Sequence, residues 1–273
     1  MHITVVQGSI IEQSADSYLL TLEEGARLSG EIAAVDRVLG GTITRMRKDG
    51  MLTGKSSEAL TLPRSGRIRA KRTMVAGVGP REKITATRVR DRTASLARQL
   101  RGLNAGRLVV SAQNAVAALG AEAAGRALAE GFTLGLYRFD RHHTKAADRP
   151  SGAIDSITLV IPGARHAAEL RRGVEQGSAL AAATNLARDL ENEPANMMTP
   201  AIMAARAQEI AAEHGLDCTI IERAEAERLG MHSYLSVSNG SIQPPKFIVL
   251  NYRGGGRARP LALIGKGITF DSG

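Results

Sequence analysis

Short apolar runs alternate with longer segments of helical period through the first 165 residues, and this alternation constrains the fold more than any other feature of the chain. The runs are ITVVQ (3–7), SYLLTL (17–22), ALTLP (59–63), RTMVAGVG (72–79), RLVVSA (107–112) and SITLVIP (156–162). Their β-branched and aliphatic content, and their bounding polar or glycine residues, mark them as strands. Between them, residues 26–41, 85–103 and 115–137 repeat apolar positions every three or four residues. Val89, Thr93, Leu96 and Leu100 form one such stripe. Strands separated by amphipathic helices predict an α/β fold with helices layered on a sheet.

The second part of the chain is organised differently. Residues 138–152 are polar, carry Pro and Gly, and read as a surface loop. His142 and His143 lie in it without a partner at metal-ligand spacing, so they read as surface histidines. A long helix is expected over 164–192, with Leu170, Val174, Gly177, Ala181, Thr184, Ala187 and Leu190 on one face. The small residues in the middle of that face allow another element to pack closely. The helix should stop near Asn192, because Pro194 disfavours helical backbone at Glu193. The expected division is an N-terminal α/β domain over 1–165, then the linking helix and the start of a second α/β domain over 166–273. In the second domain Thr199 is placed to cap a helix, Pro200 suits its first position and Gly215 closes it. Strands are expected at 218–222, 246–252 and 261–265, with a helix at 223–230 and a glycine-rich turn at 253–260. A mixed sheet that stops there has an open edge, so the second domain reads as truncated.

Composition narrows the setting. The hydrophobic fraction is 43% but aromatics are only 3%, so the cores must be built from Ala, Leu, Ile and Val. A single cysteine, Cys218, excludes an internal disulfide and fits a reducing compartment. It reads as a small buried hydrophobe opening a strand. The Met197–Met198 pair reads as packing. No secretory leader and no membrane-length apolar run is recognisable, so a cytoplasmic chain with no membrane partner is expected. Charge is uneven: residues 1–150 hold 24 Lys and Arg against 14 Asp and Glu, whereas residues 151–273 hold 12 against 13. The densest window, 51–100, has 12 basic and 3 acidic residues and includes RSGRIRAKR (64–72). Either this is a solvated arginine-rich surface, or the first domain attracts an anionic partner such as nucleic acid. Aromatic residues do not interleave with the basic cluster, and no nucleic-acid fold signature is present.

The candidate site is GKGITFDSG (265–273), at the exit of the apolar run 261–265. Three readings compete. Gly265-Lys266-Gly267 superficially suits phosphate, but the spacing of a phosphate-binding loop is missing. Lys266 and Asp271 suit a local ion pair. Asp271 also suits a divalent cation as a hard oxygen ligand, with Lys266 beside it if its amine is deprotonated. Spacing alone leaves these open.

GKGITFDSG resembles the metal-site motif of the leucyl aminopeptidase, or cytosol aminopeptidase, family. Residues 185–207 (NLARDLENEPANMMTPAIMAARA) resemble the family's entry to its catalytic domain, and 240–252 (GSIQPPKFIVLNY) the strand before its metal strand. Residues 1–165 resemble its N-terminal domain more loosely. The resemblance implies a hexameric enzyme that removes N-terminal residues, often leucine, from peptides with a free N-terminus. It implies two divalent metal ions per subunit, of Mn, Zn, Mg or Co, with Lys266 and Asp271 among their ligands. The family's pattern goes on to a catalytic lysine, a further aspartate and an N-T-D-A-E-G-R segment. TKAADRP, in the 138–152 loop, does not match that segment. No catalytic residue is therefore assigned here, and the 273 residues alone are expected to lack peptidase activity.

ITVVQGSIIEQSADSYLLTL (3–22) also resembles the opening of ADP-ribose-binding macro domains, with Ser9 where their adenine-reading aspartate stands. That implies a macro-like fold without nucleotide binding. Two other roles for the basic first domain are nucleic-acid binding and assembly of the hexamer.

Overall fold

The six apolar runs of the first 165 residues satisfy their backbone amides in one sheet. The computed structural model describes residues 2–145 and 152–270. The chain divides into two compact units, Met1–Leu186 and Ala187–Gly273. In the first, strands β1 (Ile3–Gln7), β2 (Ser17–Glu23), β3 (Ala59–Pro63), β4 (Arg72–Gly79), β5 (Gly106–Ser111) and β6 (Ile154–Ile161) lie in the order β1-β6-β5-β2-β4-β3. All neighbours are parallel except β3, which runs antiparallel along the edge of β4. In register, Leu19 of β2 faces Met74 of β4 and Val110 of β5. A mainly parallel sheet needs cover on both faces, and β2 is buried along almost its whole length.

Two apolar layers provide that cover. On one face, α3 (Ala86–Gly102), α4 (Gln113–Leu119), α5 (Ala121–Gly135) and α6 (Ala164–Asn192) contribute Leu96, Leu100, Val116, Phe132 and Leu170 to a core with Leu19, Leu108 and Leu159. On the other, α1 (Gly30–Val38), α2 (Thr42–Lys48) and the loops around them place Val35, Ile43, Leu52 and Ile68 against Tyr18, Leu20 and Val109. The expected stripe on α3 is present, with Thr93, Leu96 and Leu100 buried. So is the close packing expected of the small residues on α6. A Cβ added to Gly173 would lie 1.9 Å from the carbonyl oxygen of Glu122, and one on Gly177 2.4 Å from that of Arg126. Gly125 returns the contact, with a Cβ there 2.3 Å from Leu170 O. Glycine at these three positions lets the backbones of α5 and α6 touch.

Several element boundaries depart from the sequence expectation. The helix expected over 115–137 is broken by Gly120, whose backbone (φ 81°, ψ 160°) separates α4 from α5. The helix expected over 26–41 spans only Gly30–Val38, and α2 follows as an unexpected second helix. The buried carboxylate of Asp36 makes that possible. It accepts from the backbone amides of Ile43 (2.7 Å) and Thr44 (3.2 Å), doing for α2 what a capping residue does.

In the second unit, α7 (Pro200–His214) starts at Thr199, whose hydroxyl accepts from Ile202 N, and ends at Gly215 with φ 66°. Strands β7 (Asp217–Ile221) and β8 (Phe247–Asn251) pair antiparallel, with α8 (Arg223–Arg228) and α9 (His232–Ser236) between them. Helix α9 is a further element between the expected helix at 223–230 and the expected strand at 246–252. The strand expected at 261–265 does not form. Leu261, Leu263 and Ile264 are 85%, 90% and 95% exposed, and no ladder pairs them among the described residues. Apolar composition makes a strand only when a partner supplies its hydrogen bonds. Cys218 is half-buried rather than buried, and of the methionine pair only Met198 packs inside.

Asp16 ties the beginnings of three strands together. Its carboxylate accepts from Lys71 Nζ (2.8 Å) and Arg107 N (3.0 Å), while its carbonyl accepts from Lys71 N and Arg72 N. The Lys71 bond, followed by that from Arg107 N, draws the carboxyl down to about 2. A depressed carboxylate adds stability above its unfolded value and loses it as pH falls through the folded one. Asp16→Asn is therefore expected to flatten the fall in stability between pH ~4 and ~2, by about 1 kcal/mol or less because Lys71 is exposed. Urea midpoints measured across that range check this; an unchanged slope would remove Asp16 from the acid response.

Candidate functional site

The segment carrying Lys266 follows the antiparallel pair β7–β8. Tyr234 meets Phe247 edge-on at 5.5 Å, Lys246 pairs with Glu222, and Arg253 reaches Asp217 at 2.6 Å. After the turn at 254–257, residues 259–268 have no regular secondary structure, and Lys266 is exposed. The amide of Ile268 donates to Lys266 O at 3.2 Å. Asp271 lies outside the described residues. Cβ atoms built on Gly265 and Gly267 meet nothing within 4 Å. Among the described residues, no three His, Cys, Asp or Glu side chains converge as metal ligands. A single exposed amine does not make a metal centre, and no chemical step follows from these residues alone.

The crevice at the carboxyl ends of the parallel strands is where an open α/β sheet takes a ligand. In the first unit, residues that follow β1, β2 and β5 bond to one another there. Glu31 accepts from Ser9 Oγ (3.1 Å) and from Ile10 N. Its own amide donates to Gln113 Oε1 (2.8 Å), and the Gln113 side chain lies where a Cβ on Gly30 would stand. Ser9, singled out by the macro-domain resemblance, donates its hydroxyl to an internal carboxylate.

The basic run 64–72 is also partly committed. Arg69 donates to Glu12 O (3.1 Å), Lys71 pairs with Asp16, and Arg72 donates to Leu103 O. The structure places a different set of cations together. Arg27, Arg47 and Lys48 line one groove with Glu24, Thr44 and Leu52. Sequence reading missed it because Arg27 and Arg47 are 20 residues apart, on a loop and a helix with no shared pattern.

Among the described residues, no helix is long and apolar enough to cross a membrane. Two family models match the chain: the cytosol aminopeptidase family, N-terminal domain, over 19–146, and the cytosol aminopeptidase family, catalytic domain, over 185–273. A probable cytosol aminopeptidase of Alkaliphilus metalliredigens is 35% identical over 275 residues, covering 100% of this chain and 55% of the relative. One from Alkaliphilus oremlandii is 36% identical over 276 residues, with the same coverage. The chain therefore spans about half the length of the curated relatives it matches. Among solved structures, a mutant of tomato leucine aminopeptidase superposes with a TM-score of 0.81 at 23% identity, over 99% of this chain and 55% of that one. The bottromycin maturation enzyme BotP, in complex with Mn, superposes with a TM-score of 0.67 at 29% identity, over 88% and 45%.

Proposed function

The chain belongs to the cytosol aminopeptidase family, and from that premise we propose that it is part of an enzyme releasing N-terminal residues, leucine among them, from peptides. The observation that carries this reading is that models of the family's two domains match in order along the chain, one over 19–146 and the other over 185–273. The division proposed from sequence, 1–165 and 166–273, keeps those two matches apart. The proposed setting is the cytoplasm, and the proposed assembly is a hexamer.

Divalent metal ions are part of the proposal. The complex of BotP with Mn supports it, as does the GKGITFDSG motif. In that reading Lys266 and Asp271 are two of the ligands, and bound metal supplies Lewis-acid polarisation of the scissile carbonyl. Two ligands do not complete a two-metal site. A protein of exactly these 273 residues is expected to give no turnover of leucine-p-nitroanilide with added Mn. The protein isolated from its own cells, at whatever mass it is found there, is expected to release p-nitroaniline and to stop when the metal is chelated. In a chain of the relatives' length, Lys266→Met is expected to lower kcat/KM by about 10²-fold or more. Turnover by the 273-residue chain would sink the inactivity claim. Full activity of the long Lys266→Met variant would remove Lys266 from the site.

A further inference from the structure

The layer of the first unit around α1 and α2 spends its acids and cations differently. The buried carboxylates of Glu31 and Asp36, and the half-buried one of Glu58, are held by backbone amides and hydroxyls. Glu31 takes Ser9 and Ile10 N, Asp36 takes Ile43 N and Thr44, and Glu58 takes Thr53 and Gly54 N. No lysine or arginine forms an ion pair with any of the three among the described residues. Cations of the same stretch are left facing solvent.

Three of them converge. Arg27, from the loop before α1, and Arg47 and Lys48, from the last turn of α2, border a groove of about 620 Å³ whose only acid is Glu24. None of the three cations has an ion pair or hydrogen bond among the described residues. A helix C-terminus favours cations by itself, which accounts for Arg47 and Lys48 but not for Arg27. Arg45 shows the contrast. Its guanidinium folds back onto Gly40 O (2.7 Å) and Thr42 Oγ1 (3.0 Å), and it does not line the groove.

We propose that this groove binds a compact polyphosphate, a small molecule carrying two or more linked phosphate groups. Three cations less one carboxylate leave an excess of two positive charges, which suits a ligand of several negative charges. Two guanidinium groups offer paired donors to phosphate oxygens. No aromatic ring lines the groove, so single-stranded bases would find no stacking platform. A hollow also lacks the projecting helix or ribbon that enters a duplex groove. The proposal makes no use of Lys266 or Asp271 and holds whether or not peptides are cleaved.

The test is calorimetric titration of the 273-residue chain with inorganic pyrophosphate at about 50 mM salt. A Kd of about 1–100 μM is expected. The double substitution Arg47→Ala with Lys48→Ala should weaken it at least about tenfold, and Arg165→Ala, on α6, should leave it unchanged. Circular dichroism establishes that each variant is folded. Should the double variant unfold, Arg27→Gln, a loop substitution, must weaken binding by about threefold or more on its own. No binding of pyrophosphate at about 1 mM overturns the proposal, as does binding indifferent to these substitutions. A duplex of about 20 base pairs that binds more tightly than pyrophosphate, with a steep salt dependence lost in the double variant, also overturns it and assigns the face to nucleic-acid backbone.

Discussion

Phe132→Ala is expected to destabilise the first unit by about 3–5 kcal/mol. Phe132 is fully buried on α5, inside the core that joins α3, α5 and α6 to the sheet. Aromatic residues are 3% of the chain, and no other phenylalanine belongs to this core. Its neighbours in the core include alanines such as Ala97, Ala124 and Ala129, which cannot extend into the vacated space. The loss would be a large share of a typical domain stability of about 5–15 kcal/mol. Amide hydrogen exchange reads it locally: protection in α3 and α5 should fall while β7 and β8 keep theirs. A loss below about 1 kcal/mol would mean that this layer closes around the gap, and that the face is held elsewhere.

Gly173→Ala is the second large effect. Its Cβ would meet the carbonyl oxygen of Glu122 at 1.9 Å and the amide nitrogen of Arg126 at 2.9 Å, both backbone atoms of α5. No rotamer change relieves a clash with backbone, so α5 and α6 must separate. The expected cost is about 2–3 kcal/mol, even though alanine is the better helix former. Gly102→Ala, at the end of α3 with nothing within 4 Å of a built Cβ, is the matched control and should change little. Equal urea midpoints for the two variants would show that the helices do not touch at Gly173.

How much of this was legible depended on where each signal was stored. Strands β1 to β6 were readable because each carries its own apolar composition and punctuation. The end of α6 at Asn192 was readable because proline acts on the residue beside it. Helix α2 was not, because amides of its first turn are satisfied by Asp36, seven and eight residues upstream. The break at Gly120 was hidden inside an alanine-rich period that runs on unchanged across it. LALIG has the composition of a strand without a partner to pair with. Lys266 was found through motif resemblance, whereas its surroundings here are open. The cationic groove joins residues from separate segments, so only the fold could reveal it.

The pairing of β1 with β6 carries a consequence for synthesis. Among the described residues, Ile3 to Gln7 have a single neighbour in the sheet, Ile157 to Ile161. Strand β1 therefore has no hydrogen-bonding partner in the sheet until some 150 residues after it is made. At about 5–20 residues per second, that wait is roughly 10–30 s. During it, the β6-facing edge of β5 is also open, so a nascent chain stalled before residue 154 presents two unpaired strand edges together. A chaperone that shields extended apolar segments would have the most to do in that interval, and ribosome pausing upstream of β6 should raise aggregation more than pausing after it.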